Sequence, residues 1–168
     1  MIHVVTGPMF AGKTSYLMNH PASICFKPVI DTRTDLNIVR THSGQERMAV
    51  PVAYAGDLDQ MVPEGVLTVC IDEAQFFAPD LVPAVVRMAQ AGMHVIAAGL
   101  DMDAKGQPFG VMPALLAVAD VVTKLTAKCS KCGSYRATRT YRTIPLVGQI
   151  VIGGAESYEP RCLKCWSA

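Results

Sequence analysis

The chain has 168 residues, 51% of them hydrophobic and 17% charged, and a net charge of +1. That length holds one main core rather than a multidomain assembly, and no run approaches the roughly 20 apolar residues of a membrane span. The near-neutral balance excludes the strong basic excess of a general nucleic-acid binder. It hides an asymmetry, because residues 1–127 carry 8 basic and 12 acidic groups whereas residues 128–168 carry 7 and 2. The opening MIHVVTG lacks the basic segment, long apolar core and cleavage site of a secretory signal, which predicts a cytoplasmic location.

Continuous apolar runs at 2–5, 23–26, 67–71, 94–99 and 121–125 suit strands buried on both faces of a parallel sheet. Helix-like stretches at 13–19, 79–91 and 113–119 lie between them, with proline near two starts and Gly92 after an end. Strand and helix in alternation predict an α/β fold. Residues 31–64 read as a loop, with a strand crossed by Pro51 as the alternative at 48–55. From Cys129 the texture changes to Cys, Gly, Arg and Thr, with strand-like stretches at 138–144 and 149–154. That tail is too short for an apolar core of its own and needs a staple.

Gly7, Pro8, Met9, Phe10, Ala11, Gly12, Lys13 and Thr14 fit G-x-x-x-x-G-K-[ST], placed between an apolar run and a helical stretch. The glycines let successive backbone N–H groups point at phosphate oxygens. Lys13 is then the side chain for the β- and γ-phosphates of ATP, and the Thr14 hydroxyl a ligand for Mg²⁺. The run 67–71 ends in Asp72 and Glu73, which delivers two carboxylates to the carboxyl edge of the sheet, where ligands of open α/β folds bind. Asp72 reads as a Mg²⁺ ligand, and Glu73 as the acceptor of a hydroxyl proton or the residue that orients a water.

Cys129-x-x-Cys132 and Cys162-x-x-Cys165, separated by 29 residues, match the closed tetrahedral coordination of structural Zn²⁺. Disulfides or redox pairs are the alternative, disfavoured in a cytosolic chain. Cys25 and Cys70 sit inside apolar runs and read as small core residues. His3, His20, His42 and His94 show no ligand spacing, Asp101 and Asp103 are as readily solvated loop acids as site residues, and one of Phe76 and Phe77 is expected in the core.

With GPMFAGKT at 7–14, KPVIDTR at 27–33, DEAQFF at 72–77, Gly99-Leu100-Asp101 followed by Pro108-Phe109-Gly110, and IGGAESYEPRCLKC at 152–165, the chain resembles the type II, zinc-containing thymidine kinases, collinearly over almost its whole length. The resemblance implies a RecA-like P-loop parallel sheet over residues 1–127 and a zinc-binding lobe over 128–168. It implies transfer of the ATP γ-phosphoryl group to the 5′-hydroxyl of thymidine or deoxyuridine. It places Glu73 as catalytic base and Asp31 and Arg33 at metal and phosphates. Met9, Phe76, Leu100, Phe109, Thr140, Val151, Gly153 and Tyr158 fall on nucleoside-binding positions, with Arg142 in the same T-x-R element as Thr140. It also implies a homotetramer. Ala104 stands where the family usually has Phe, which thins one pocket wall, and the first helix is short.

Phosphoryl transfer needs alignment and charge neutralisation, so Lys13, Mg²⁺ and either Arg33 or Arg142 should carry more of the barrier reduction than proton abstraction by Glu73. Two other functions fit parts of the sequence. A RecA-like ATPase with a nucleic-acid-binding zinc lobe would use the basic tail, and a non-catalytic nucleotide sensor would need only the phosphate loop.

Overall fold

A computed structural model describes residues 1–20, 23–33, 35, 37–41, 43–145, 148–150 and 152–167. In chain order the strands are β1 (Ile2–Thr6), β2 (Ile24–Pro28), β3 (Ile38–Arg40), β4 (Glu46–Met48), β5 (Val50–Val52), β6 (Thr68–Ile71), β7 (His94–Gly99), β8 (Val121–Lys124), β9 (Arg139–Arg142) and β10 (Tyr158–Arg161). The helices are α1 (Lys13–Met18), α2 (Leu81–Gln90), α3 (Met112–Val118) and α4 (Leu163–Trp166). No helix among the described residues is long and apolar enough to cross a membrane.

Six strands form one sheet in the order β5-β2-β6-β7-β1-β8, with every neighbouring pair parallel. Alternation of side chains along each strand divides the apolar runs between two layers. Val4, Phe26, Ile71, Val95 and Ala97 belong to the core that includes α2 and α3 residues. Val5, Cys25, Cys70, Ile96 and Ala98 belong to a second core with Leu17 of α1. Cys25 and Cys70 are thus core residues. In α2 the buried residues are Leu81, Ala84, Val85 and Met88, the spacing of one helical face, and Gly92 beyond its end takes φ 90°. Burial of each such aliphatic side chain contributes about 1.5–3 kcal/mol.

The structure corrects the sequence reading in three places. Residues 31–64 are not one loop: they contain the antiparallel hairpin of β3 and β4, then β5, then a 3-10 turn over Leu58–Met61. β5 is the edge strand that carries Pro51, a place where a missing N–H is tolerated. The run at 121–125 is not buried on both faces, because β8 pairs only with β1 at the other edge and leaves Val121 and Val122 exposed. In the tail, β9 falls within 138–144, but its partner is β10, whereas no strand runs through the described residues of 149–154.

Candidate active site at the carboxyl edge of the sheet

The carboxyl ends of β1, β2, β6 and β7 lead into the phosphate loop, Asp31, Asp72-Glu73 and Leu100-Asp101, so four sequence motifs meet at one edge. Gly7 adopts φ 141°, and a Cβ there would lie 2.4 Å from the carbonyl oxygen of Leu125, so a side chain cannot enter the first bend of the loop. Lys13 is buried and donates to the carbonyls of Gly7 at 3.1 Å and Pro8 at 2.7 Å. Burial lowers its pKa, opposed in part by Glu73 and Asp72. The Thr14 hydroxyl donates to Asp72 Oδ2 at 3.1 Å. Burial, and after it the charge of Glu73, pushes Asp72 up to about 7.

Glu73 begins a 3-10 turn in the left-handed region, φ 52°, a costly conformation for a non-glycine residue that concentrates at working sites. Its two oxygens have different partners. Arg33 forms an ion pair with Oε1, and Gln75 donates to Oε2 at 2.5 Å. The Gln75 amide is itself locked, because its oxygen accepts the Leu100 N–H at 2.9 Å and the residue is buried. Arg33 also bonds Asp31 at 2.6 Å, while Lys27 lies 3.7 Å from the same carboxylate. Burial opposes the charge on Arg33, but Glu73 and Asp31 outweigh it and raise its pKa. Asp31 is displaced downward although burial acts the other way, because the hydrogen bond and charge of Arg33 prevail.

Two cavities meet here. One is lined by Met9, Phe76, Leu100, Phe109, Tyr158, Thr140, Arg142 and Gly153, with Asp103, Ala104 and Gln149 among the remaining walls. Met9, Leu100, Phe109 and Tyr158 form an apolar cluster against Phe76 and Ala104, and the Phe76 and Phe109 rings meet edge to face at 5.7 Å. Gly110, at φ 50°, keeps this wall against the 3-10 turn: a Cβ there would lie 2.1 Å from the Gln75 carbonyl oxygen. The second cavity follows the phosphate loop past Gly12, Lys13, Thr14, Asp31 and Asp72 to Arg40, Thr41 and Ser43 on the β3–β4 hairpin. Glu73, Arg33, Met9, Leu100, Ile152 and Gly153 line both. The aromatic and apolar lining of the first suits a planar ligand, and the lysine, arginines and hydroxyls of the second suit an anionic chain.

The sequence-predicted nucleoside-binding residues are therefore assembled around one cavity, apart from Val151, which lies outside the described residues, as does His42. Phe77 is the core member of its pair. Asp101 and Asp103 are not solvated: Asp101 pairs with Lys124 at 2.6 Å, and Asp103 is buried. His3, His20 and His94 have no ligand spacing in sequence, yet their rings meet, His3 and His94 stacked with centroids 6.2 Å apart and His20 edge-on to His94 at 6.0 Å.

All six cysteines are free. The Sγ atoms of Cys129, Cys132, Cys162 and Cys165 lie within 4.8 Å of one another, and those of Cys132 and Cys162 are 3.8 Å apart. Four thiolates about 2.3 Å from a central zinc span tetrahedral edges of about 3.8 Å, whereas a disulfide requires about 2.05 Å. The donor set thus fits zinc. Backbone N–H donation, first from Cys162, holds Cys129 down at about 6, while the hydrogen bond with the Cys162 thiol pushes Cys165 up to about 12.

A profile described as thymidine kinase matches residues 1–166. The chain belongs to the thymidine kinase family. It is 45% identical over 184 aligned positions to a thymidine kinase of Deinococcus radiodurans, a match that covers 94% of this chain and 85% of that relative. Against the family motifs, sequence reasoning left Gln75 without a role although it lies inside DEAQFF, and it passed over Gln149 and the hairpin residues Arg40, Thr41 and Ser43. Gln75 had a local signal, an amide two residues from the carboxylate it holds. The others had none, since their place depends on how distant segments fold together.

Proposed function

We propose that this chain transfers the γ-phosphoryl group of ATP to the 5′-hydroxyl of thymidine or deoxyuridine. The observation that carries the reading is the junction of the two cavities at Glu73 and Arg33. A nucleoside in the apolar cavity presents its 5′-hydroxyl to Glu73, and a triphosphate along residues 7–14 presents its γ-phosphorus to the same place. Glu73 takes the hydroxyl proton as the O5′–Pγ bond forms and the bond to the β-phosphate oxygen breaks, giving the nucleoside monophosphate and ADP. Arg33 faces the charge that develops on the transferred group. Lys13 leaves the Gly7 and Pro8 carbonyls for the β- and γ-phosphates.

Thr14, Asp72 and Asp31 would hold Mg²⁺, which would supply neutralising charge for the phosphates. Zinc on Cys129, Cys132, Cys162 and Cys165 is structural, since four protein thiolates leave no open position. Residues 1–127 form the ATP-binding domain and residues 128–168 the zinc lobe. In the nucleoside pocket Phe76, Phe109 and Tyr158 flank the base with Met9 and Leu100, while Thr140 and Gly153 supply polar groups. Four thiols kept for a metal suit the reducing cytoplasm. The functional form is a homo-oligomer, a tetramer by family resemblance, a reading supported by the exposed apolar edge at Val121 and Val122.

A coupled assay for ADP with ATP, Mg²⁺ and a panel of nucleosides tests the proposal. Thymidine and deoxyuridine are turned over well above the other nucleosides. No phosphorylated product from either overturns it.

A further inference from the structure

We propose that Asp103 is a positioning residue that draws the segment carrying Gln149, Ile152 and Gly153 across the nucleoside cavity by holding the Gln149 amide; the inference rests on the proposed nucleoside kinase reading. Asp103 is buried in the loop between β7 and α3, which the antiparallel bridge between Met102 and Pro108 closes. Its Oδ1 accepts the backbone N–H of Lys105 at 2.8 Å and of Gln107 at 2.9 Å. The carboxylate is thereby fixed by its own loop, and Oδ2 is left to accept the Gln149 Nε2 at 3.0 Å, 46 residues away in sequence. The same nitrogen donates to the Pro108 carbonyl at 3.3 Å. Only the NH₂ end of an amide can face both a carboxylate and a carbonyl, so the orientation of Gln149 is set by chemistry.

Asp103, Ala104 and Gln149 all line the cavity. The preceding residue, Gly148, is tied to β9 through two hydrogen bonds of 3.0 Å from Arg142 to its carbonyl oxygen. Three and four residues beyond Gln149, Ile152 and Gly153 line both cavities. A bond from Gln149 to Asp103 therefore spans the pocket mouth from the tail to the β7–α3 loop, at a wall where Ala104 contributes only a methyl group. Its loss lets the covering segment lift without altering Glu73, Arg33 or the phosphate loop.

The test exchanges donor and acceptor. Asp103→Asn keeps an oxygen for Lys105 and Gln107 but turns an NH₂ toward the NH₂ of Gln149. We expect the nucleoside KM to rise about 10-fold, the size of one lost hydrogen bond to a charged group, with kcat and the ATP KM moving less than about threefold. Gln149→Ala gives the same pattern, and the two changes together cost no more than the worse one. Combining Asp103→Asn with Gln149→Glu lets the new amide donate to the new carboxylate while the Pro108 carbonyl now faces an oxygen, so the nucleoside KM falls below that of either single variant without returning fully, a partial rescue that structural damage does not produce. Trp166 is the sole tryptophan. Its indole abuts Gly106 of the same loop, and its Nε1–H donates to the Thr140 carbonyl at 3.2 Å, so its fluorescence reads nucleoside binding without turnover. If the unaltered protein neither binds nor phosphorylates thymidine or deoxyuridine, the kinase reading fails. If it does both, but the single variants keep its KM, or their costs add, or the exchanged pair gives no rescue, the role of Asp103 is overturned.

Discussion

At the scale of single residues, the site is an alternation of charge: Asp31, Arg33 and Glu73 in a row, with Gln75 on the far oxygen of Glu73. A loose, metaphosphate-like transition state asks little of a base and much of fixed positive charge. Arg33→Met therefore lowers kcat by about 10³-fold, the upper range for one electrostatic donor, whereas Glu73→Gln lowers it by about 10²-fold, the lower range for a general base. Single-turnover quench measurements at saturating substrates compare them. A greater loss for Glu73→Gln shows that proton transfer governs the step. Most of the side chains around this junction were legible from motifs because phosphate loops and strand-end carboxylates act through residue types at fixed spacing. Gln75 showed only half of its role, its spacing from Glu73, because its bond to Leu100 spans 25 residues and exists only once β7 lies beside β6. The burial of Asp101 and Asp103 was hidden for the same reason, since acids in a polar loop look solvated until their partners arrive from elsewhere in the chain.

At the scale of elements, α1 carries the phosphate loop on its first turn and is pinned at its other end. Arg47 of β4 donates to the Leu17 carbonyl at 3.4 Å and the His20 carbonyl at 2.9 Å, and it also bonds the Ser23 carbonyl. Beside that joint, His3 of β1, His94 of β7, His20 and Tyr16 pack ring on ring. Burial first, then His20, lowers the pKa of His3 and His94, and His3 and the N-terminal amine add to the effect on His94. The buried Nε2 of His94 has no hydrogen-bond partner among the described residues, while His3 Nε2 is 2.8 Å from the Thr123 hydroxyl. Between those lowered values and the ordinary value near 6.5, the unfolded chain binds more protons than the folded one, so stability falls as pH falls. The contribution is intact above about pH 6.5. Thermal melts should decline from pH 7 toward pH 5, by about 2–4 °C for each kcal/mol lost, and His94→Gln should flatten that decline. A slope unchanged by His94→Gln removes the cluster as its source.

The same scale shows which elements a sequence can declare. Strands β1, β2, β6 and β7 announce themselves as unbroken apolar runs because helices cover both faces. The two strands of the β3–β4 hairpin are three residues each, too short to show a helical or a strand period. β10 reads Tyr-Glu-Pro-Arg and is made a strand by β9, with the Arg161 guanidinium stacked 3.4 Å from the centre of the Tyr141 ring. The apolar stretch at 149–154 was the better strand by composition, yet Ile152 lines both clefts and Ile150 is exposed, neither of them on a sheet.

At the scale of the whole molecule, the two ends of the chain share one hydrogen bond. The Met9 N–H in the phosphate loop donates to the Thr140 hydroxyl at 3.0 Å across 131 residues. Thr140 also takes the indole proton of Trp166 on its carbonyl, and Trp166 belongs to α4, the short helix that carries Cys165. The cysteine cluster packs with Ala127, Ala137 and, from the phosphate loop, Ala11, an apolar contact too small to fold the tail without help. Zinc on these four thiolates would then supply much of the order around them, because a structural zinc site yields about 10–16 kcal/mol that only the assembled cluster collects. Cys162→Ser, or removal of metal by a chelator, should release Tyr158, Thr140 and Gly153 from the pocket together. Thymidine affinity falls at least about 10²-fold, as expected when several pocket contacts vanish at once, and Trp166 emission shifts to the red. Residues 7–14 touch the tail through Ala11 and the Met9 N–H, but the loop is anchored between β1 and α1 on the six-stranded sheet, so a fluorescent ATP analogue still binds within about 10-fold. Zinc analysis paired with both titrations separates the cases: a metal-free sample that retains full thymidine affinity shows that the lobe folds on packing alone, and one that loses both ligands shows that the sheet itself requires the tail.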